Sequence, residues 1–490
     1  MIICGKLYYY LFVIVFIYIG RYPKKLTLKG WFILSNTTTI LAEMMKYMNE
    51  NGLNISDLAR ESKMNPGTVS SIVNGNRKFS VYQLDRITEV MGHPIGYYYE
   101  RYIDEYLADS NPNWRRMSPF LYNCAKLNKL DCIQQVVDML LDKLGYSDPL
   151  FELAEEFFKD GMNEAAAILY ENVALTEKKQ YSERLAICQY RLFVTRQGDD
   201  SEKNYEAAVQ FETYVDRLDE IDQLDALRDL LNTYRSLRKW DKVNKFAKIL
   251  GNLAEIQYKL ELQQQKTQKE NKKKPFYPLF VYWGVSYLLR AEVCDARKDY
   301  EQALLHINTY ADVSWVKETD ETTLKWKNRF KEWSEVNTYV NRLMSGDVSV
   351  LSDYVAYFST KEDEVLPALD NIIEAANRYN MNVDDLLKRF EVQILSLLEQ
   401  QNGVGVYNQQ FISERFTHFS CELSIYYLRK GMFLNGFTFL LSCLEKSTVI
   451  NNKAYIIKCM RLFESFRENA TSEVKAVYRN LINEVDEDEE

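Results

Sequence analysis

Glycine and proline are scarce in this chain, 18 and 9 residues of 490, under half of the roughly 12% that the two supply together in average proteins. So few breakers exclude a collagen-like chain and favour long helices, and a hydrophobic share of 47% excludes a wholly disordered one. Histidine is scarcer still: His93, His306 and His418 lie far apart, and none neighbours a cysteine or a carboxylate pair at metal-ligand spacing. The eight cysteines include no C-x-x-C, so there is no zinc signature and no metal site is expected. They are scattered, several at apolar positions of helical patterns, which reads as reduced core thiols in a reducing compartment. Also missing are a Gly-rich phosphate loop, G-x-S-x-G, H-E-x-x-H and any Cys-His pair that stands out, so no catalytic residue, no cofactor and no enzyme is expected. Positive charge is not in excess: 61 Lys+Arg face 70 Asp+Glu, a net charge of −9. The whole chain is therefore not a non-specific binder of polyanions, and any nucleic-acid contact has to be local. The length allows three units or one extended repeat array.

The N-terminal segment, 1–35, contains one apolar and aromatic run, LYYYLFVIVFIYIG at 7–20, shorter than the roughly 20 residues that cross a bilayer squarely. No small-residue cleavage site follows; Arg21, Lys24, Lys25 and Lys29 come instead, which disfavours a signal peptide. Two readings stay open: a membrane anchor that leaves the rest of the chain in the cytosol, or translation assigned upstream of the true start. Both give a cytoplasmic protein, with or without an N-terminal tether.

From 36 to 108 the pattern is helical. Ile40, Leu41, Met44, Met45 and Met48 recur at three and four residues and Asn51-Gly52 ends that helix. Ser56 is the expected cap of a short second helix with Leu58 and Ala59 inside. A tight connection through Lys63-Met64-Asn65 leads to a third helix from Pro66 to Val73, which buries Val69 and Ile72 and closes at Asn74-Gly75. Ser80 caps a fourth with Leu84, Ile87 and Met91 inside, and an aromatic fifth carries Tyr97, Tyr98, Tyr99, Tyr102 and Tyr106. Residues 52–92, GLNISDLARESKMNPGTVSSIVNGNRKFSVYQLDRITEVMG, resemble the Xre/lambdoid-repressor helix-turn-helix along their whole length. That resemblance implies a recognition element at Asn65 to Asn74 docked in the major groove of double-stranded DNA. Position by position, Pro66, Gly67 and Ser71 fall where the family reads bases, and Asn54, Thr68, Arg77 and Lys78 where it holds phosphates; Asn65 and Ser70 complete the candidate set. Pro and Gly have no side-chain donors, so bidentate readout is missing at two of three reading positions, which predicts weak preference or reading of DNA shape. Six basic and six acidic residues between Thr37 and His93 leave the module neutral, so phosphate affinity is modest unless a dimer doubles it.

From 115 to 480 the chain reads as paired amphipathic helices. In 284–314, Tyr287, Ala291 and Cys294, the turn Arg297-Lys298-Asp299-Tyr300, then Ala303, Ile307 and Tyr310 follow a small-and-large pattern. A second copy runs from Leu150 through Ala154, Phe157, Gly161, Ala166 and Tyr170 to Ala174. A third uses Leu227, Leu231, Tyr234, Trp240, Val243, Ala247 and Leu250. Weaker copies lie at 205–218 and 416–444. Together these resemble a tetratricopeptide α-solenoid, making the expected fold class all-α: a five-helix Xre-type domain followed by a helical repeat array. The Lys-rich 263–274 reads as a loop or frayed helix end, and the acidic tail 484–490 as disordered. Solenoids present a concave groove, and the groove positions of the third copy would be Arg228, Asn232 and Arg235, able to hold a peptide backbone or carboxylate. Those of the clearest copy, Glu292 and Asp295, would meet an amine.

The order of the two parts is similar to that of the RRNPP-type quorum-sensing regulators of Gram-positive bacteria and their phage-encoded relatives. That likeness implies a homodimeric cytosolic transcription factor whose solenoid binds a short signalling peptide; asparagines on groove-facing helices commonly clamp the peptide backbone there, and Asn232 matches. A second expectation is a tetratricopeptide adaptor that binds or inhibits a protein partner without specific DNA binding.

Overall fold

A computed structural model describes residues 39–108, 113–140, 144–177, 183–264, 273–399 and 409–487. Among these residues there are helices and turns and no strand, and no helix is long and apolar enough to cross a membrane. The hydrophobic run at 7–20 and most of the Lys-rich stretch at 263–274 lie outside the described residues. The chain divides into two compact units, one ending at Asn111 and the other beginning at Pro112.

The first unit holds α1 (Ile40–Glu50), α2 (Ile55–Glu61), α3 (Pro66–Val73), α4 (Val81–Val90) and α5 (Tyr99–Tyr102). Apolar spacing on each puts Ile40, Met44, Leu58, Val69, Ile72, Leu84 and Ile87 at 1% exposure or less, each burial contributing about 1.5–3 kcal/mol. Glycines end α1 and α3 because the chain turns there with positive φ, 64° at Gly52 and 70° at Gly75. The cap of α2 is not Ser56 but Asn54. Its Oδ1 accepts from the backbone N–H of Ser56 at 2.8 Å and of Asp57 at 3.0 Å, while the Asp57 carboxylate accepts from the Asn54 N–H at 3.3 Å. That reciprocal box satisfies more orphan donors than a lone serine would. Met91 is half-buried. The aromatic fifth helix is a single turn continuing as a wide π-type turn over Ile103–Leu107. It anchors the unit through Tyr102, whose hydroxyl donates to Phe79 O at 2.9 Å, and Glu105, which accepts from the first N–H of α1 at 3.1 Å. Tyr97 points outward, 55% exposed and stacked on His93.

The second unit runs through α6 (Trp114–Lys126), α7 (Leu130–Asp138), α8 (Ser147–Lys159), α9 (Asn163–Glu177), α10 (Glu183–Thr195), α11 (Ser201–Glu212), α12 (Glu220–Ser236) and α13 (Trp240–Gln264). It continues with α14 (Leu279–Ala296), α15 (Tyr300–Ala311), α16 (Glu321–Met344), α17 (Leu351–Phe358), α18 (Glu362–Tyr379), α19 (Asp384–Arg389) and α20 (Glu391–Glu399), then α21 (Gln409–Arg429), α22 (Phe433–Val449), α23 (Lys453–Phe466) and α24 (Ser472–Glu487). From α8 to α10 and from α12 to α16, each helix packs on the one before and the one after, the arrangement of a solenoid. Antiparallel neighbours are turned by single left-handed residues: Gly161, Arg238, Lys298, Gly431 and Asn451. Small residues let pairs approach: a Cβ on Gly251 of α13 would lie 2.5 Å from Ser286 Oγ of α14. Among the described residues apolar cores run from Ala186 to Phe330, from Leu343 to Phe439 and from Cys421 to Tyr478, after the buried residues of the first helices such as Phe120, Phe157 and Tyr170.

The first part of the acidic tail is helical, α24 carrying on to Glu487. The C-terminal helices return to the middle of the array, where α21 meets α12. Ser201 N donates to Ile450 O at 2.8 Å, the Ser201 hydroxyl donates to Glu414 at 2.6 Å, and the Asn452 amide donates to the other Glu414 oxygen at 2.8 Å. The unit therefore closes on itself.

Candidate functional site

In the first unit the DNA-binding candidates gather around the start of α3. Asn65, Pro66 and Gly67 are exposed, Thr68, Ser70 and Ser71 are half-exposed on the next turn, Arg77 is exposed in the loop that follows and Lys78 is half-buried. The local chemistry is largely spoken for. Asn65 Oδ1 accepts from Gly67 N at 2.8 Å, the Ser71 hydroxyl donates to Gly67 O at 2.9 Å, and Ser70 Oγ accepts from Asn74 at 3.3 Å. Asn54, expected on a phosphate, already caps α2, leaving its Nδ2 as the group able to reach outward. The missing N–H of Pro66 and the Asn65 cap also leave no unsatisfied donor at the tip of α3 for an anion. What remains is a smooth, small-residue surface flanked by cations. Arg77 makes no side-chain hydrogen bond or ion pair among the described residues, and neither does Lys63, which sequence reasoning treated only as part of the turn. Lys63 is exposed at φ 53°, a left-handed lysine at a helix-helix turn being the signal that could have singled it out.

In the second unit the five groove candidates sit on α12 and α14, but most are used within the chain. Arg228 pairs with Asp229 at 2.8 Å and Asp225 at 3.2 Å, and lies over the rings of Phe276 and Tyr277. Arg235 clamps Glu292 with both arms of its guanidinium, Nε to Oε2 being 2.6 Å. These are inter-helix ties, not vacant receptors. Asn232 is different: it is exposed and makes no side-chain hydrogen bond among the described residues. Asp295 also stands apart. It accepts from the Asn341 amide at 2.8 Å, and no cation pairs with it among the described residues. Burial pushes its carboxyl up to about 7; the Asn341 bond works against that and the Glu292 charge adds to it.

Sequence reasoning missed a buried polar cluster. On α18 and α21, Asp370 and Glu374, then Glu414, His418 and Glu422, form polar rows at four-residue intervals, a spacing that the sequence does contain. Asp370, Glu414, His418 and Glu422 are each less than 9% exposed, and buried polar groups at this density have to satisfy one another. His418 Nδ1 is 2.6 Å from Asp370 and its Nε2 is 3.8 Å from Glu374. Glu422 accepts from Asn377 and Lys458, both at 2.9 Å. Burial raises the pKa of Glu414, opposed by the bonds from Ser201 and Asn452. Facing them is Arg238, the left-handed residue of the α12–α13 turn. Its surroundings disfavour its charge, but the fields of Tyr455, Asp370, Glu374 and Glu414 prevail and hold its pKa above the ordinary value. Arg238 makes no direct ion pair among the described residues, and its charge is met instead by the fields of these carboxylates.

Compared with the sequence profiles of known protein families and with curated proteins, the chain matches none.

Proposed function

We propose that the protein is a transcriptional regulator that binds double-stranded DNA as a homodimer through its first unit, and that its helical-repeat unit senses a short signalling peptide and switches that binding. The observation that carries the reading is the pairing of α2 and α3 through a four-residue turn, with the outer face of α3 left exposed between Lys63 and Arg77. A helix presented in this way enters a major groove, with flanking cations on the phosphates. The resemblance of 52–92 to the Xre/lambdoid helix-turn-helix, and of the following array to tetratricopeptide repeats in the order found in RRNPP-type regulators, supports the same reading.

In the second unit Asn232 would hold a peptide's backbone and Asp295 its amine, because these two groups are polar and neither pairs with an opposite charge among the described residues. A peptide that binds the closed form of the array better or worse than an opened one would shift the population, and only that difference in affinity couples to DNA. The work would be done in the cytoplasm. A second reading, an adaptor that binds a protein partner and no specific DNA, is favoured by one observation: α3 offers Pro66 and Gly67 where bidentate side chains would stand.

The test is selection of genomic fragments bound by the protein, with Arg77→Ala/Lys78→Ala as control. Enrichment of a two-fold-symmetric site with half-sites about one helical turn apart, abolished in the double variant, is the expected result. Absence of enrichment selects the adaptor.

A further inference from the structure

A cleft on α14 faces away from the groove. Arg290 is two residues from Glu292 and five from Asp295, offsets that place it about 140–160° round the helix from them at 3.6 residues per turn. There Trp283, Tyr287 and Arg290 meet Lys248 and Asn252 of α13 around a cleft of about 220 Å³. The Arg290 guanidinium lies over the Tyr287 ring, 4.9 Å from its centroid, and its Nε is buried with no hydrogen-bond partner. An unmade bond of this kind destabilises the fold until a partner completes it. Lys248 is exposed and has no ion pair among the described residues. The carboxylate at the rim, Glu255, is matched by Lys259 at 2.5 Å. His306, beside Tyr287 at 5.7 Å between ring centroids, is held neutral: burial first, then the Arg290 and Lys248 charges, push its pKa down to about 4. Among the described residues no carboxylate pairs with either of the cleft's two positive charges. Trp283 continues from it into a second cleft of about 450 Å³ bordered by Leu305, Asn308 and Trp315, a flat wall beside the cationic pair.

We propose that this cleft binds a phosphomonoester dianion on a planar organic group, with Arg290 and Lys248 holding the phosphate, the Asn252 amide donating to it, and Trp283 contacting the ring. Two cations match the two charges of a phosphomonoester better than the single charge of a carboxylate, and the Arg290 guanidinium lining the cleft suits the directed bonds that phosphate oxygens accept. The site is separate from the DNA-binding and peptide readings and stands or falls without them.

Isothermal titration calorimetry of the full chain tests it with phenyl phosphate, inorganic phosphate and phenol. Phenyl phosphate is expected to bind saturably and more tightly than inorganic phosphate, with phenol giving no saturable heat. Arg290→Gln and Lys248→Gln are each expected to weaken phenyl phosphate by tenfold or more, while Arg461→Gln, an exposed cation on α23, and Asp295→Asn in the groove leave it unchanged. Lys248 is exposed, so its variant folds even where Arg290→Gln does not, circular dichroism deciding which case applies. The proposal is overturned if phenyl phosphate gives no saturable binding, if Lys248→Gln binds as the parent does, or if Arg461→Gln weakens binding as much as the cleft variants.

Discussion

Replacing Asp295 by asparagine should make the protein more stable at pH 8, because this carboxylate is destabilising where it stands. Its carboxyl titrates at about 7 against an ordinary 3.8, so the folded state holds the proton more tightly than the unfolded chain does. The penalty is absent below the unfolded pKa, grows as the pH rises from about 4 to about 7, and is constant above that. Integrated, it amounts to about 4 kcal/mol at pH 8 and about 1.5–2 kcal/mol at pH 5. Asparagine keeps an oxygen for the Asn341 amide, which now donates at 2.8 Å, and carries no charge to desolvate. Urea denaturation at pH 5, 6, 7 and 8, read by circular dichroism, should show Asp295→Asn gaining over the parent with rising pH and levelling off above 7, with a thermal midpoint about 5–10 °C higher at pH 8. The same variant should lose affinity for the peptide, since an amide cannot neutralise an amine. Equal stability at pH 8, or an advantage that does not change with pH, would refute the reasoning.

Removing the Glu414 side chain should loosen the closure of the second unit. Glu414→Ala strands the Ser201 hydroxyl and the Asn452 amide at a cost of about 2–4 kcal/mol, and small-angle scattering should report a larger radius of gyration; an unchanged radius and an unchanged denaturation midpoint would mean the closure is held elsewhere. Gly284→Ala should destabilise despite better helix propensity, worth about 1 kcal/mol. Its Cβ would lie 2.4 Å from Cζ of Phe330, a ring that is 0% exposed and pressed by Tyr310 and Trp333, so overpacking leaves a net loss of about 1–2 kcal/mol in urea denaturation. A variant as stable as the parent would show that Phe330 can move aside.

The helices were legible in the sequence because their signals are local. Asn51-Gly52, Ser80 and the apolar spacing of Leu84 and Ile87 mark ends and faces within a few residues of one another, and Ala291 and Ala303 announce a close helix pair by their size. The cap of α2 was misplaced by two residues because Asn54, Ser56 and Asp57 compete for the same orphan donors, and the reciprocal bond from Asp57 decides it. The groove was legible as a list of positions but not as a set of charges. Arg235 and Glu292 fall on inner faces of successive repeats, yet their mutual neutralisation depends on how two helices 57 residues apart are set against each other. The closure was not legible at all: Ser201 and Glu414 are separated by 213 residues, a distance that no periodicity reports. Asp370 and Glu374, like Glu414 and His418, do form a visible polar spacing, but nothing in the spacing says that both rows face Arg238.

The central claim, that the first unit grips DNA through α3 and its flanking cations, is tested most directly by the salt dependence of binding. Fluorescence anisotropy of a selected duplex with the full chain, from about 50 to 300 mM salt, gives the slope of log affinity against log salt, close to −0.9 per phosphate neutralised. A homodimer placing one Arg77 from each protomer on a phosphate should lose about 1.8 from that slope when Arg77 becomes alanine, with the fold of the protein unchanged. An identical slope in the variant, or no duplex that binds above the non-specific level, would contradict the account.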